Sequence, residues 1–381
     1  MEDHTKKRRN LLKSIKRVVI KVGSAVLTGK RGLNRKVINS LADGMCNLRE
    51  KGIEVVLVSS GAIAAGIRKI RLSKRPESIS KQQATAAVGQ STLMMAYEKA
   101  FGRHGQIVAQ ILITSDDLNN RRRYLNARNT IFTLLSWGVI PIINENDTVV
   151  TDEIKFGDND NLSAMVTNMT ESQILIILTD IDGLFDKDPR SHKDARLIRV
   201  VDKTDKGVFI CDSSAPGLLG TGGIASKIKA ARKATLGGIP AIIANGRKET
   251  VLQRIFIGEE IGTLFIPQDL TLCNRKQWIA FTRSSKGNLI IDRGAVEALK
   301  KKGKSLLPSG IKDVRGTFGL GDSVVLLDEK EHEIAIGMVN YNSSDIKKIM
   351  GLKSSEIESR LGFKHDDEVI HRDNLVVTDS L

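Results

Sequence analysis

Asn144-Glu145-Asn146-Asp147 and, about ten residues on, Gly157-Asp158-Asn159-Asp160-Asn161 are the stretch on which the chain is organised. The first cluster follows the apolar run Val139-Ile140-Pro141-Ile142-Ile143, which has the length and character of a buried strand. The second precedes Leu162-Ser163-Ala164-Met165-Val166, the first turns of a helix. Strand, polar loop, helix is the grammar of an α/β chain, and such chains build their sites on loops at strand ends. The carboxylates crowded here repel one another unless a metal, an ammonium group or paired lysines offset them. The plainer reading is two Asx-rich turns, with Asp160 capping its helix. It explains one or two of these residues but not both clusters together.

Working outward, residues 17–22 read as a short buried strand interrupted by Lys21, with Gly23-Ser24 directly after it. A lysine inside a buried strand is costly unless its ammonium reaches an anion or snorkels from the strand end. Gly23 permits close backbone approach and Ser24 adds a hydroxyl, so the segment reads as a phosphate cradle. It is not a P-loop, because no GxxxxGK[ST] is present. Residues 34–51 have a helical apolar period closed by Gly52. Residues 54–58 form a second strand, followed by Ser59-Ser60-Gly61-Ala62-Ile63-Ala64-Ala65-Gly66. That loop opens a helix whose free N–H groups suit a carboxylate or phosphate, or whose small residues serve only close packing.

A helix is expected from a capping box at Ser80-Lys81-Gln82-Gln83 to about residue 104, a strand over 107–113 and a helix over 119–137. Residues 174–178 are another strand, ending in Thr179-Asp180. Gly217-Leu218-Leu219-Gly220-Thr221-Gly222-Gly223 then leads into Ile224-Ala225-Ser226-Lys227 and a helix to Leu236. A glycine loop feeding a helix start binds phosphate through backbone N–H groups and the helix dipole. Alone it is weak evidence; beside Lys21 and the acid clusters it gains weight. A strand over 241–244 completes a mostly parallel sheet covered by helices on both faces.

This arrangement divides the chain into a basic extension (1–16), an α/β domain (17–266), a linker (267–281), a small mostly β domain (282–360) and a C-terminal tail (361–381). The extension, with Lys6-Lys7-Arg8-Arg9, is expected to be solvated and partly disordered. It lacks the apolar core of a secretory signal, and no apolar run reaches the ~18 residues of a membrane span. Cys46, Cys211 and Cys273 are widely separated, which points to a reducing cytoplasm rather than a disulfide framework. The net charge of +15 is spread along the chain. An anionic substrate therefore explains it better than a nucleic-acid face, and RNA binding enters only as an addition through the small domain.

Two lysines, a glycine loop and clustered acids fit phosphoryl transfer, where catalysis is positioning plus neutralisation of charge. No nucleophile stands out, so in-line transfer to a bound acceptor is favoured. The acid–amide pair suits an acceptor ammonium, and the Ser60 loop suits its carboxylate.

On Lys21-Val22-Gly23-Ser24, residues 59–66, Asn144 to Asp147, Gly157 to Asn161 and Thr221 to Lys227, the chain resembles the amino acid kinase family. The resemblance is to its glutamate-phosphorylating members and runs over nearly the whole chain from Arg17. The C-terminal part is similar to a PUA domain. The resemblance implies the reaction ATP + L-glutamate → ADP + L-glutamyl 5-phosphate, the first step of proline synthesis. It also implies Mg²⁺ with the nucleotide, feedback inhibition by proline, glutamyl phosphate reductase downstream, and a homo-oligomer. By the resemblance Ser60, Asp147 and Asn159 bind glutamate. Lys21, Thr179, Asp180, Thr221, Gly222, Gly223, Ile224, Ala225, Ser226 and Lys227 serve ATP. Lys21 and Lys227 neutralise the transferred group, and Asp158 and Asp160 orient acceptor, lysines and hydrated magnesium. Relatives acting on N-acetylglutamate, aspartate, carbamate or UMP are the alternatives; an acetylated acceptor has no ammonium and would not need Asp147 and Asn159.

Overall fold

The computed structural model describes residues 2–29, 32–149, 159–189, 191–201, 222–267 and 285–377. The chain divides into two compact units, residues 1–269 and 270–381.

Unit one is built on an eight-stranded sheet. Its order is Val200–Val201, Thr263–Phe265, Ala241–Asn245, Ile174–Thr179, Arg17–Val22, Glu54–Ser59, Ile140–Glu145, Val108–Ile113. From Val108–Ile113 across to Ala241–Asn245 each neighbouring pair is parallel, and Thr263–Phe265 runs against them. These strands are runs of Val, Ile and Leu because both faces are buried, so no polar alternation is required. Side chains still alternate between the faces. Val18, Ile20 and Val22 enter one core with Leu41, Met45, Leu93, Phe101, Leu252 and Ile255. Val19 enters the other with Ile131, Leu162, Val166, Ile228 and Ala231. By that period of two, Lys21 shares Val19's face, where the helices Asn159–Met169 and Gly222–Leu236 pack.

Several boundaries differ from expectation, each for a local reason. The strand expected to stop at Ile143 runs on to Glu145, so Asn144 and Glu145 are strand residues, both buried. Residues 115–136 hold two helices, Ser115–Asn119 and Arg121–Ser136. The first starts on a capping box between Thr114 and Asp117. The box expected at Ser80 is absent: that helix begins at Ile79, behind Ser78, with no side-chain cap.

The N-terminal extension corrects a larger expectation. It forms the helix Glu2–Lys13, with Leu12 and Ile15 buried in the first core. Arg8 is buried too, and its guanidinium donates to the Ile261 carbonyl. The basic run signals solvent, but Leu11, Leu12 and Ile15 after it supply an apolar stripe that docks. No helix among the described residues is long and apolar enough to cross a membrane. Cys46 is free and buried; Cys211 and Cys273 lie outside the described residues.

Unit two carries a five-stranded sheet ordered Ile311–Gly316, Gly287–Ile291, Ser323–Leu327, Glu333–Met338, Leu375–Val377. The helices Arg293–Lys302 and Ser343–Ile349 contribute Leu299, Ile346 and Ile349 to its core. Residues 361–381 are not simply a tail. Leu375–Val377 pairs antiparallel with Glu333–Met338, and Val369 and Ile370 are fully buried, because the edge of that sheet needs both a partner and a cover. Most of the expected linker, from residue 268 on, lies outside the described residues.

Candidate active site

The carboxyl ends of the central strands converge on one edge. There the chain leaves Val22 into Gly23, Ser59 into Ser60 and Thr179 into Asp180. The Gly23 amide donates to the Leu178 carbonyl at 3.0 Å and the Ser60 amide to the Val22 carbonyl at 3.1 Å. These bonds hold the three exits side by side.

Onto this edge the helix Asn159–Met169 directs its first two residues, both about 95% buried. They face different neighbours. Asp160 takes the Lys21 ammonium on Oδ1 at 2.5 Å and that of Lys227 on Oδ2 at 3.2 Å. The Ser226 hydroxyl donates to Oδ2 at 2.6 Å. Lys227 also donates to the Gly223 carbonyl at 2.7 Å, one turn back in its own helix. Burial pushes the Asp160 carboxyl up, but Lys21 foremost and then Lys227 outweigh it and hold the group below its ordinary range. One buried carboxylate thus aligns two cations from separate elements.

Asn159 turns the other way. Its amide donates to Ser60 Oγ at 3.1 Å and to Asn144 Oδ1 at 3.0 Å, and its Oδ1 accepts from the Glu145 amide at 3.3 Å. Asn144 in turn donates to Gln90 Oε1 at 2.7 Å. The result is a neutral network tying the Ser60 loop, the end of strand Ile140–Glu145 and the helix Ile79–Gly102. Gln90 escaped sequence reasoning: a lone amide among small helical residues carries no signal. Asn144 was visible only as one member of its cluster.

Asp147 lies in the turn after that strand, half-buried, and burial pushes its carboxyl up to about 6, with Arg75 pulling the other way. Among the described residues it is not hydrogen-bonded to Ser60 or Asn159, so the structure does not join it to the amide network. Thr179 donates to Asp180 at 3.2 Å on the neighbouring strand end. Gly222 starts its helix, Gly223 and Ala225 are exposed, and Ile224 is a core residue. Asp158 and Thr221 lie outside the described residues.

The small residues after Ser60 serve packing as well. A Cβ on Gly66 would meet the Thr85 carbonyl oxygen at 1.9 Å, and one on Gly89 the Ala62 carbonyl oxygen at 1.7 Å. The helices Ala62–Lys69 and Ile79–Gly102 therefore touch backbone to backbone.

The amino acid kinase family profile matches residues 16–245, and the PUA domain profile residues 287–361. A glutamate 5-kinase from Syntrophotalea carbinolica is 50% identical over 97% of this chain and 99% of that protein. The glutamate 5-kinase from Syntrophus aciditrophicus is 52% identical over 97% and 96%. The chain belongs to the glutamate 5-kinases of the amino acid kinase family. Among solved structures, a UMP kinase from Bacillus anthracis is similar at 18% identity and a TM-score of 0.46, over 68% of this chain and 98% of that one. Membership in the glutamate 5-kinase family makes the chain a phosphotransferase enzyme and implies use of ATP. The PUA match falls in unit two, on its mostly β sheet.

Proposed function

We propose that the chain phosphorylates the γ-carboxylate of L-glutamate with ATP, giving ADP and L-glutamyl 5-phosphate. The observation that carries this reading is the division of labour between two adjacent helix residues. Asp160 gathers Lys21 and Lys227, a cationic half-site for phosphates. Asn159, one residue away, closes a polar half-site with Ser60 and Asn144. Donor and acceptor then meet across the start of a single helix, the juxtaposition that phosphoryl transfer requires.

In this reading a glutamate γ-carboxylate oxygen attacks the γ-phosphorus in line. The bond to the bridging oxygen breaks and ADP departs. Lys21 and Lys227 meet the charge that grows on the transferred group, and Asp160 holds both ammonium groups in place without crossing into the reaction. Ser60 and Asn159 orient the acceptor, and Asp147 in its ionised form supplies the counter-charge for its ammonium. Thr179, Asp180, Ser226 and the backbone at residues 221–225 serve the nucleotide; Ile224 does so through its backbone only.

Magnesium fits this donor set as an ion carried by the nucleotide. No cluster of three or more His, Cys, Asp or Glu side chains that could hold a metal occurs among the described residues, and Mg²⁺ is commonly held by phosphate oxygens and water with few protein ligands. Bound there, it would neutralise charge on the phosphates. We place the reaction at the first step of proline synthesis, in the cytoplasm of the cell. Proline would be the feedback inhibitor, glutamyl phosphate reductase would take the product, and the enzyme would act as a homo-oligomer. A coupled ADP-release assay with glutamate, aspartate and N-acetylglutamate as competing acceptors tests the reading. Glutamate should be strongly preferred; turnover of N-acetylglutamate at a similar rate would overturn it.

A further inference from the structure

A cavity of about 870 Å³ opens in unit one away from the residues described above. It lies among the hairpin at Gly32–Leu33 and the helices Arg35–Glu50, Ala62–Lys69 and Ile79–Gly102, and it shares no residue with the candidate active site. Arg35, Arg68, Lys69 and Lys99, all exposed, line it. Among the described residues none of these four is in an ion pair, whereas Arg103 at the same cavity is bound to Asp43 at 2.7 Å. Among the described residues no carboxylate lines the cavity.

Like charges converging on a concavity focus a positive potential, and they repel one another until an anion enters. Guanidinium forks match phosphate oxygens two at a time, and ammonium groups add point charge. Apart from Asn39, much of the remaining wall is apolar, from Leu33, Ile38, Met95 and Ala96. In it sits Thr92, whose buried hydroxyl has no hydrogen-bond partner among the described residues. A buried hydroxyl without a partner is uncommon, and a polar group or ordered water placed beside it would satisfy it. The volume falls in the range of small-molecule sites, roughly 300–1,000 Å³. Cations drawn from three helices onto one concavity suit a compact polyanion, whereas a nucleic-acid backbone follows a ridge or stripe.

We propose that this cavity is a second ligand site, separate from the catalytic centre, for a small organic molecule bearing more than one phosphate group. Phosphates engage Arg35, Arg68, Lys69 and Lys99, and the organic body rests on the Leu33–Met95 wall. The proposal does not depend on which acceptor the enzyme phosphorylates.

Isothermal titration of the full-length protein with fructose 1,6-bisphosphate and with inorganic pyrophosphate tests it. One bisphosphate should bind per chain, more tightly than pyrophosphate because only it has a body for the apolar wall. The double variant Arg68→Gln/Lys99→Gln should weaken binding by about tenfold or more, the scale of losing a charge-assisted contact. Its kcat and KM for ATP and glutamate, measured without the probe, should stay at wild-type values. Lys227→Met, which alters the catalytic centre, should bind the bisphosphate as the wild type does. Lack of binding, equal affinity for both probes, or loss in Lys227→Met with retention in the double variant would each overturn the proposal.

Discussion

Asp147 is the residue whose chemistry is most exposed to test. Burial favours its neutral form, so in the folded protein it holds its proton up to about 6, against an ordinary 3.8. The stability that this protonation contributes is therefore complete below 3.8 and is lost as pH rises through about 6. Binding an acceptor ammonium needs the opposite, ionised form. The expected result is that kcat/KM for glutamate rises with pH up to about 6 and then levels. In Asp147→Asn that step should vanish; a step that persisted would assign it to another group. Lys227→Met should lower kcat by roughly 10²–10³ with little change in the KM for glutamate, because the charge it meets grows during transfer. Steady-state kinetics decide this, and near-wild-type turnover would leave Lys227 as a helix-start residue alone. Asn159→Ala should weaken glutamate by about 1–3 kcal/mol, the cost of stranding Ser60 and Asn144, and leave ATP affinity near wild type. Isothermal titration with each ligand separates the two effects. At this scale the legible residues were those that break a pattern. Lys21 is a charge inside an apolar strand, and Asp160 an acid ahead of an apolar helix. Gln90 breaks none, and only the folded chain brings it to Asn144.

Elements were legible where burial is two-sided. Residues 17–22, 54–59 and 174–179 are near-continuous apolar runs, and an apolar strand between helical patterns leaves little choice of fold. Ends were less legible, because an end is decided by capping bonds that several nearby residues could make. Ser80 offers a capping box by spacing, yet the helix starts one residue earlier. The helix Glu2–Lys13 was hidden by composition: its charges are local, while the partners of Leu12 and Ile15 lie far along the chain. The contact between helices Ala62–Lys69 and Ile79–Gly102 yields a prediction of its own. Gly89→Ala should gain up to about 1 kcal/mol of helix propensity. It must then push a methyl into the Ala62 carbonyl, where the obstructing atoms are backbone and cannot swing aside. Overpacking of this kind costs about 1–3 kcal/mol or more, so the net effect is a lower Tm. Thermal denaturation followed by circular dichroism checks it, and an unchanged Tm would mean that the helices part freely.

For the whole molecule, the core clusters among the described residues draw their members from one unit each. The two cores of unit one end at Phe265 and Leu264, and that of unit two begins at Leu289. A chain ending at residue 274 is therefore expected to fold and to keep ATP- and glutamate-dependent activity. Circular dichroism and the ADP-release assay test this: a folded but inactive product would give unit two a part in the chemistry, and an unfolded one would move the boundary. The backbone contact at Gly66 and Gly89 has a mechanical consequence at this scale. With no clearance between them, the two helices can neither slide nor roll past each other, and they behave as a single stiff beam. Gln90 follows Gly89 directly, so the amide network through Asn144 is tied to the place where the two helices are locked together.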